Sequence, residues 1–252
     1  TPTGTIIDAL FLGKTLDPDW DPNTPLVVSY SFTPVGVTSL DPDIAGQISN
    51  TALDPETLNF RQAVIDAFNY LGTMLGITFI EVIESDIVVG DIRLVLYDNP
   101  NEDSQGTSWN WNYIGSQYWE GSGDLDIQVN LGGLDTFEKG SYGYMTILHE
   151  IGHSIGLDHP FTPETGGWFS TDYRFSSIDE LGYTEFGWLG WTLMDYRHYI
   201  GDNSMIPADH PSATAIVISE TGKPFYPTTF MPLDISASLY LYGWWDAEGV
   251  FV

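Results

Sequence analysis

The clearest hydrophobic period in the chain follows Asp54. Leu58, Val64, Ile65, Phe68 and Leu71 recur near the helical repeat, with Asp54 placed as an N-cap and Pro55 at the first helical position. That pattern predicts a helix. The period then shortens. Ile77–Ile83 is rich in β-forming residues, Ile92, Leu94 and Leu96 alternate with Arg93 and Val95, and Leu125, Ile127 and Val129 alternate with Asp126 and Gln128. Each run predicts a strand. Between the last two, the stretch from Ser104 to Gly123 is rich in Trp, Asn, Ser and Gly and reads as a loop. A second helix is expected from Tyr144 to Leu157. A third, shorter one is expected from Leu233 to Tyr242, preceded by Pro232 and stopped at Gly243. One helix, then strands, then a helix and a long irregular stretch predict an α+β fold. No tandem repeat or glycine–aspartate nonapeptide interrupts this plan.

Composition narrows the picture. The chain has 252 residues, 42% of them hydrophobic and 14% aromatic, which is enough apolar material for a core. Seven basic side chains stand against 35 acidic ones, giving a formal charge of −28. Such a charge repels phosphate backbones and anionic headgroups, so neither nucleic-acid binding nor a polybasic membrane contact is expected. The longest uncharged stretch, Pro22 to Leu40, contains three prolines and many hydroxyls and predicts no membrane insertion. The absence of cysteine excludes disulfides, thiolate metal ligands and cysteine nucleophiles. A start at Thr1, with neither Met nor a signal sequence, leads us to expect a processed or excised segment. The acidity has two readings: a solvated surface suited to salty or extracellular water, or clusters that bind calcium. Asp17, Asp19, Asp21 and Asn23 alternate as calcium ligands do, and Asp98 to Asp103 forms a second acidic loop. Both also read as turns shaped by proline.

Candidate chemistry is concentrated in the second helix, His149-Glu150-Ile151-Gly152-His153-Ser154-Ile155-Gly156-Leu157-Asp158-His159. His149 and His153 are four apart, so both imidazoles project from one helix face and can grip one metal ion. Glu150 follows the first ligand and can reach a water held by the metal. Gly156 stands where the helix must end, and a glycine there can turn the chain so that His159 returns as a third ligand. Three neutral imidazoles leave a fourth position for water, the arrangement of a catalytic zinc. His198 and His210 fit no motif and are expected at the surface.

This extended motif resembles that of the metzincin metalloproteases. Their second hallmark, a methionine turn, is matched by Thr192-Leu193-Met194-Asp195-Tyr196. The tyrosine two residues after Met194 is similar to that of serralysins and astacins. Further matches resemble serralysins: Ile7-Asp8-Ala9-Leu10, Val28-Ser29-Tyr30-Ser31-Phe32, His159-Pro160, Asp234-Ile235 leading to Leu241-Tyr242-Gly243, and Gly123 to Asn130. The aromatic stretch Phe161 to Trp191 departs from the family pattern, and serves either as a satellite core under a long loop or as part of a substrate pocket.

The resemblance implies a metzincin catalytic domain: a twisted mixed sheet with an active-site helix, and a smaller, mostly irregular C-terminal subdomain. The expected division of the single domain is 1–159 and 160–252, without the calcium β-roll that serralysins carry. It implies a secreted, extracellular, monomeric zinc endopeptidase acting on proteins or peptides. One catalytic Zn2+ would be held by His149, His153 and His159, and Ca2+ is a second candidate ion. Glu150 would be the general base that deprotonates the attacking water. Tyr196 would be a fifth zinc ligand at rest and an oxyanion donor in catalysis, and Met194 would form a floor beneath the metal. Leu125, Asp126, Ile127, Gln128 and Val129 would form the edge strand that pairs with an extended substrate. Two alternatives stay open: a narrow processing protease or toxin selecting a basic partner, and a catalytically inactive binding domain with the same fold.

Overall fold

Strand β1 (Val27–Phe32), helix α1 (Pro55–Leu75) and strand β2 (Thr78–Glu81) form a crossover unit in which β2 pairs parallel to β1, with Val27 opposite Thr78 and Tyr30 opposite Glu81. Parallel strands cannot be joined by a tight hairpin, and the 21-residue helix is the connection that returns the chain to the same end of the sheet. The structure is a computed structural model that describes residues 10, 24–35, 55–85, 87–97, 106–110, 125–130, 136–160, 191–195, 217–218 and 224–243. The chain divides into two compact units, Pro25–Ser154, and Thr1–Thr24 together with Ile155–Val252.

In the Pro25–Ser154 unit, strands β3 (Ile92–Tyr97), β4 (Gly106–Asn110) and β5 (Leu125–Asn130) complete a five-stranded sheet in the order β2-β1-β3-β5-β4. All pairings are parallel except β4 with β5, which is antiparallel with Gly106 opposite Val129. Helix α2 (Tyr142–Ser154) lies against α1 and against β4 and β5. The core between α1 and the sheet is aromatic: Phe68 stacks on Phe79 at 4.6 Å and leans on Tyr30 at 4.7 Å, while Phe60 meets Phe32 and Phe137 edge-on. Within β3, Ile92 to Leu96 are all fully buried, so both faces of that strand are covered. Arg93 is among them. Its Nε donates to Glu84 Oε1 at 2.8 Å, and Nη2 bonds the same oxygen. Glu84 Oε2 in turn accepts from the hydroxyls of Ser31 and Thr33 at 2.9 and 3.1 Å, so the buried charge is paired on both sides.

The α+β expectation holds, with helices α1 and α2 and three of the strands found close to where the periodicity put them. Two expectations need correction. The stretch from Ser104 to Gly123 is not all loop, because Gly106–Asn110 is the strand β4. The strand containing Leu125, Asp126, Ile127, Gln128 and Val129 is also not an edge: β3 pairs with one side of it and β4 with the other. Its main-chain hydrogen bonds are therefore committed within the sheet. Among the described residues the outer strands are β2 and β4. No helix among the described residues is long and apolar enough to cross a membrane.

In the second unit, β6 (Val217–Ile218) and β7 (Pro224–Phe225) pair antiparallel, and helix α3 runs over Pro232–Tyr242. Gly243 ends α3 as expected, but with an ordinary φ of −63°. Its amide closes the last turn onto the Leu239 carbonyl at 2.6 Å, so no left-handed residue is needed.

Candidate metal centre

Helix α2 starts where Ser141 caps it. The Ser141 hydroxyl accepts from the Tyr144 amide at 3.1 Å and donates to the Thr136 carbonyl at 2.8 Å. One turn in, Gly143 sits so close to the 136–137 segment that a β-carbon there would lie 2.4 Å from the Thr136 carbonyl oxygen. A glycine at that position lets the helix settle onto the preceding loop. From Gly143 to Gly152 every residue of α2 is buried, and Tyr144, Ile147, Leu148 and Ile151 supply the apolar anchorage. That anchorage carries His149 and Glu150 with it, and they retain only 7% and 5% exposure. The rings of His149 and His153 lie 4.8 Å apart at 88°, side by side on one face as their spacing requires.

The helix stops at Ser154, three residues before the expected Leu157. Gly156 is the reason: its φ of 96° is left-handed, a conformation that glycine adopts without steric cost. The turn beyond it is pinned twice. Tyr242 donates its hydroxyl to the Ile155 carbonyl at 2.7 Å, filling one of the acceptors a helix end leaves open, and the Asp158 amide donates to the Leu10 carbonyl at 2.8 Å. Asp158 Oδ1 then accepts from the His159 amide at 2.7 Å. The outcome is a three-imidazole cluster. His149, His153 and His159 each offer a ring nitrogen, and these atoms lie within 4.8 Å of one another. A tetrahedral zinc with bonds near 2.0–2.1 Å asks for nitrogens roughly 3.4 Å apart, a closure that side-chain rotation can supply. Donor type, number and spacing therefore fit one zinc ion with a coordination position left over.

Met194 is fully buried in a turn whose anatomy the sequence did not disclose. Its amide donates to Thr192 Oγ1 at 3.0 Å, and Thr192 Oγ1 donates to Asp234 Oδ1 at 2.6 Å. Asp234 Oδ2 accepts from the Leu193 and Met231 amides, both at 2.9 Å. Burial pushes the Asp234 carboxyl up to about 6, because desolvation of its charge outweighs the lowering by the Leu193, Thr192 and Met231 hydrogen bonds. Thr192, Asp234 and Tyr242 are thus supporting residues that sequence reasoning passed over or named only as part of a resemblance. Tyr196, His198, His210, Asp54 and both acidic loops lie outside the described residues, as does the aromatic stretch except Trp191.

An α+β chain with a buried helix offering two histidines and a turn returning a third defines a candidate zinc centre. Compared with known proteins, one segment of the chain is 36% identical over 104 residues to a serralysin from Proteus mirabilis, covering 38% of this chain and 19% of that protein. The match therefore spans about a fifth of that relative's length. With the histidine cluster, it supports a metalloprotease. No family model matches. Among solved structures, a GM1-bound form of the ECX AB5 holotoxin covers 65% of this chain and 68% of its own at a TM-score of 0.33 and 15% identity, too distant to define a shared fold.

Proposed function

We propose that this chain is a zinc endopeptidase of the serralysin-like metzincin type, secreted and acting on extended protein or peptide segments. The observation that carries the reading is the three-imidazole cluster at the end of α2, with Glu150 beside its first member. When bound, zinc would supply an electrophile for the peptide carbonyl and lower the pKa of a water it holds to about 7. Glu150 takes the proton of the attacking water and delivers it to the leaving amine. Tyr196 donates a hydrogen bond to the carbonyl oxygen as it gains charge, a role that rests on its position two residues after Met194. The substrate pairs its main chain with the outer side of β4, which lies beside α2, rather than with β5, whose two sides are already occupied. Backbone pairing of this kind gives broad sequence tolerance.

The test is Glu150→Ala in the zinc-loaded protein. It keeps every ligand, so metal content should stay at one zinc per chain while casein hydrolysis falls by at least about 10³-fold, within the range for loss of a general base. His153→Ala should lose both. Casein cleavage by Glu150→Ala at a rate near wild type would end the mechanism, and a wild-type protein that takes up no zinc would end the assignment.

A further inference from the structure

The three histidines are not held alike. His149 and His153 take their spacing from helix α2, whereas His159 lies beyond the helix and depends on the turn that follows it. That turn is anchored up to the residue before the ligand. Ile155 and Leu157 are fully buried, the Tyr242 hydroxyl holds the Ile155 carbonyl, and the Asp158 amide donates to the Leu10 carbonyl at 2.8 Å. Leu10, Asp158, His159 and Tyr242 all belong to one compact unit. From the pinned Asp158 amide to the Cα of His159 only two torsions remain soft, φ and ψ of Asp158, because the peptide beyond them is planar. The Asp158 carboxylate closes over the second. Its Oδ1 accepts from the His159 amide at 2.7 Å, and the residue keeps only 9% exposure. A bond from a side chain to the next amide holds ψ, and ψ sets the direction in which His159 leaves the turn.

We infer that Asp158 is a positioning residue that fixes the backbone of His159 and so presents the third imidazole to the metal. The inference rests on the reading of the three-imidazole cluster as a zinc site. A carboxylate at this position has two ways to strengthen metal binding. As an acceptor it orders His159 before the metal arrives; as a charge it attracts the cation directly. The bond to the amide commits one carboxylate oxygen to the first role. Fixing the backbone of one residue in advance is worth about 5–30-fold in a binding constant. Substitution separates the two roles. Asp158→Asn keeps a carbonyl acceptor of the same shape and removes the charge. Asp158→Leu keeps the volume and removes both acceptors, and Asp158→Ala removes acceptors and volume together.

The experiment compares these three variants with wild type by three measurements. They are amide hydrogen exchange at His159 in the metal-free protein, the zinc dissociation constant by competition with a chromogenic chelator, and the visible absorption of the cobalt-loaded protein. That absorption is intense for a four-coordinate ion and weak for a six-coordinate one, so it reports whether the third imidazole is bound. In Asp158→Leu and Asp158→Ala the His159 amide should exchange about 3–10-fold faster, the effect of losing one partly buried hydrogen bond. Zinc should bind about 10–30-fold more weakly in both, and the cobalt absorption should fall as water replaces His159. Asp158→Asn should stay within about threefold of wild type in exchange and zinc affinity and keep the cobalt spectrum, because its acceptor is retained. Wild-type zinc affinity in Asp158→Leu would overturn the inference. An Asp158→Asn variant as weakened as Asp158→Leu would overturn it too, by assigning the effect to charge. If Asp158→Ala does not fold, Asp158→Leu decides in its place. If wild type takes up neither zinc nor cobalt, the metal reading itself fails and the inference falls with it.

Discussion

Two buried carboxylates, Asp234 and Glu84, are held in opposite ways, and substitution should separate them. Burial raises the Asp234 carboxyl to about 6 in the folded chain against 3.8 as the ordinary value, and the donors it meets among the described residues are neutral. A carboxyl raised on folding stabilises the fold fully below its unfolded pKa, and that contribution is lost as pH rises through the folded one. The stability difference between wild type and Asp234→Asn should therefore move against wild type by about 2 kcal/mol between about pH 4.5 and 7.5. Urea unfolding of the metal-free proteins at the two pH values measures this, and a constant difference would refute it. Glu84 has a cation instead, bonded twice to Arg93 with both side chains at 0% exposure. Glu84→Ala removes both of those bonds from a buried guanidinium and should cost about 3–5 kcal/mol, readable as a lower urea midpoint at unchanged slope. Neither environment could be read from the sequence. Arg93 merely alternates with leucine and isoleucine there, and Thr192 lies 42 residues from Asp234.

At the scale of elements, the helices and the strands β3 and β5 were legible because their apolar period is local and regular. β4 was not. Gly106-Thr107-Ser108-Trp109-Asn110 has no alternation and a loop-like composition, so its extended form reflects pairing with β5 rather than propensity. Missing β4 also misplaced the edge of the sheet, because strand order depends on contacts that no window of sequence contains. The end of α2 was legible in kind, since glycine before the third histidine marks a stop, but not in support, because the hydroxyl of Tyr242 arrives from 87 residues away. Gly156→Ala tests the stop. At φ 96° a β-carbon is strained by about 1–3 kcal/mol, and the turn that returns His159 should relax away from that geometry. We expect a lower melting temperature together with weaker zinc retention on chelator titration. Loss of stability with unaltered zinc affinity would show that the turn is not what places the third ligand.

For the molecule as a whole, a charge of −28 on 252 residues creates self-repulsion that salt screens. The melting temperature should rise by several degrees between dilute buffer and molar NaCl. If millimolar calcium stabilises while NaCl of matched ionic strength does not, specific calcium sites explain the acidity better. The division into units bears on how the chain is made. Residues 25–154 are contiguous, whereas the other unit draws on both ends of the chain. The turn carrying His159 is secured by Leu10 on one side and Tyr242 on the other, so its support is complete only once Tyr242 has been made. His149 and His153 belong to the contiguous unit, whereas the residue that pins the turn before His159 is made 83 residues after that histidine. Under the proposed reading, the support of the third ligand is therefore the last part of the metal centre to be synthesised.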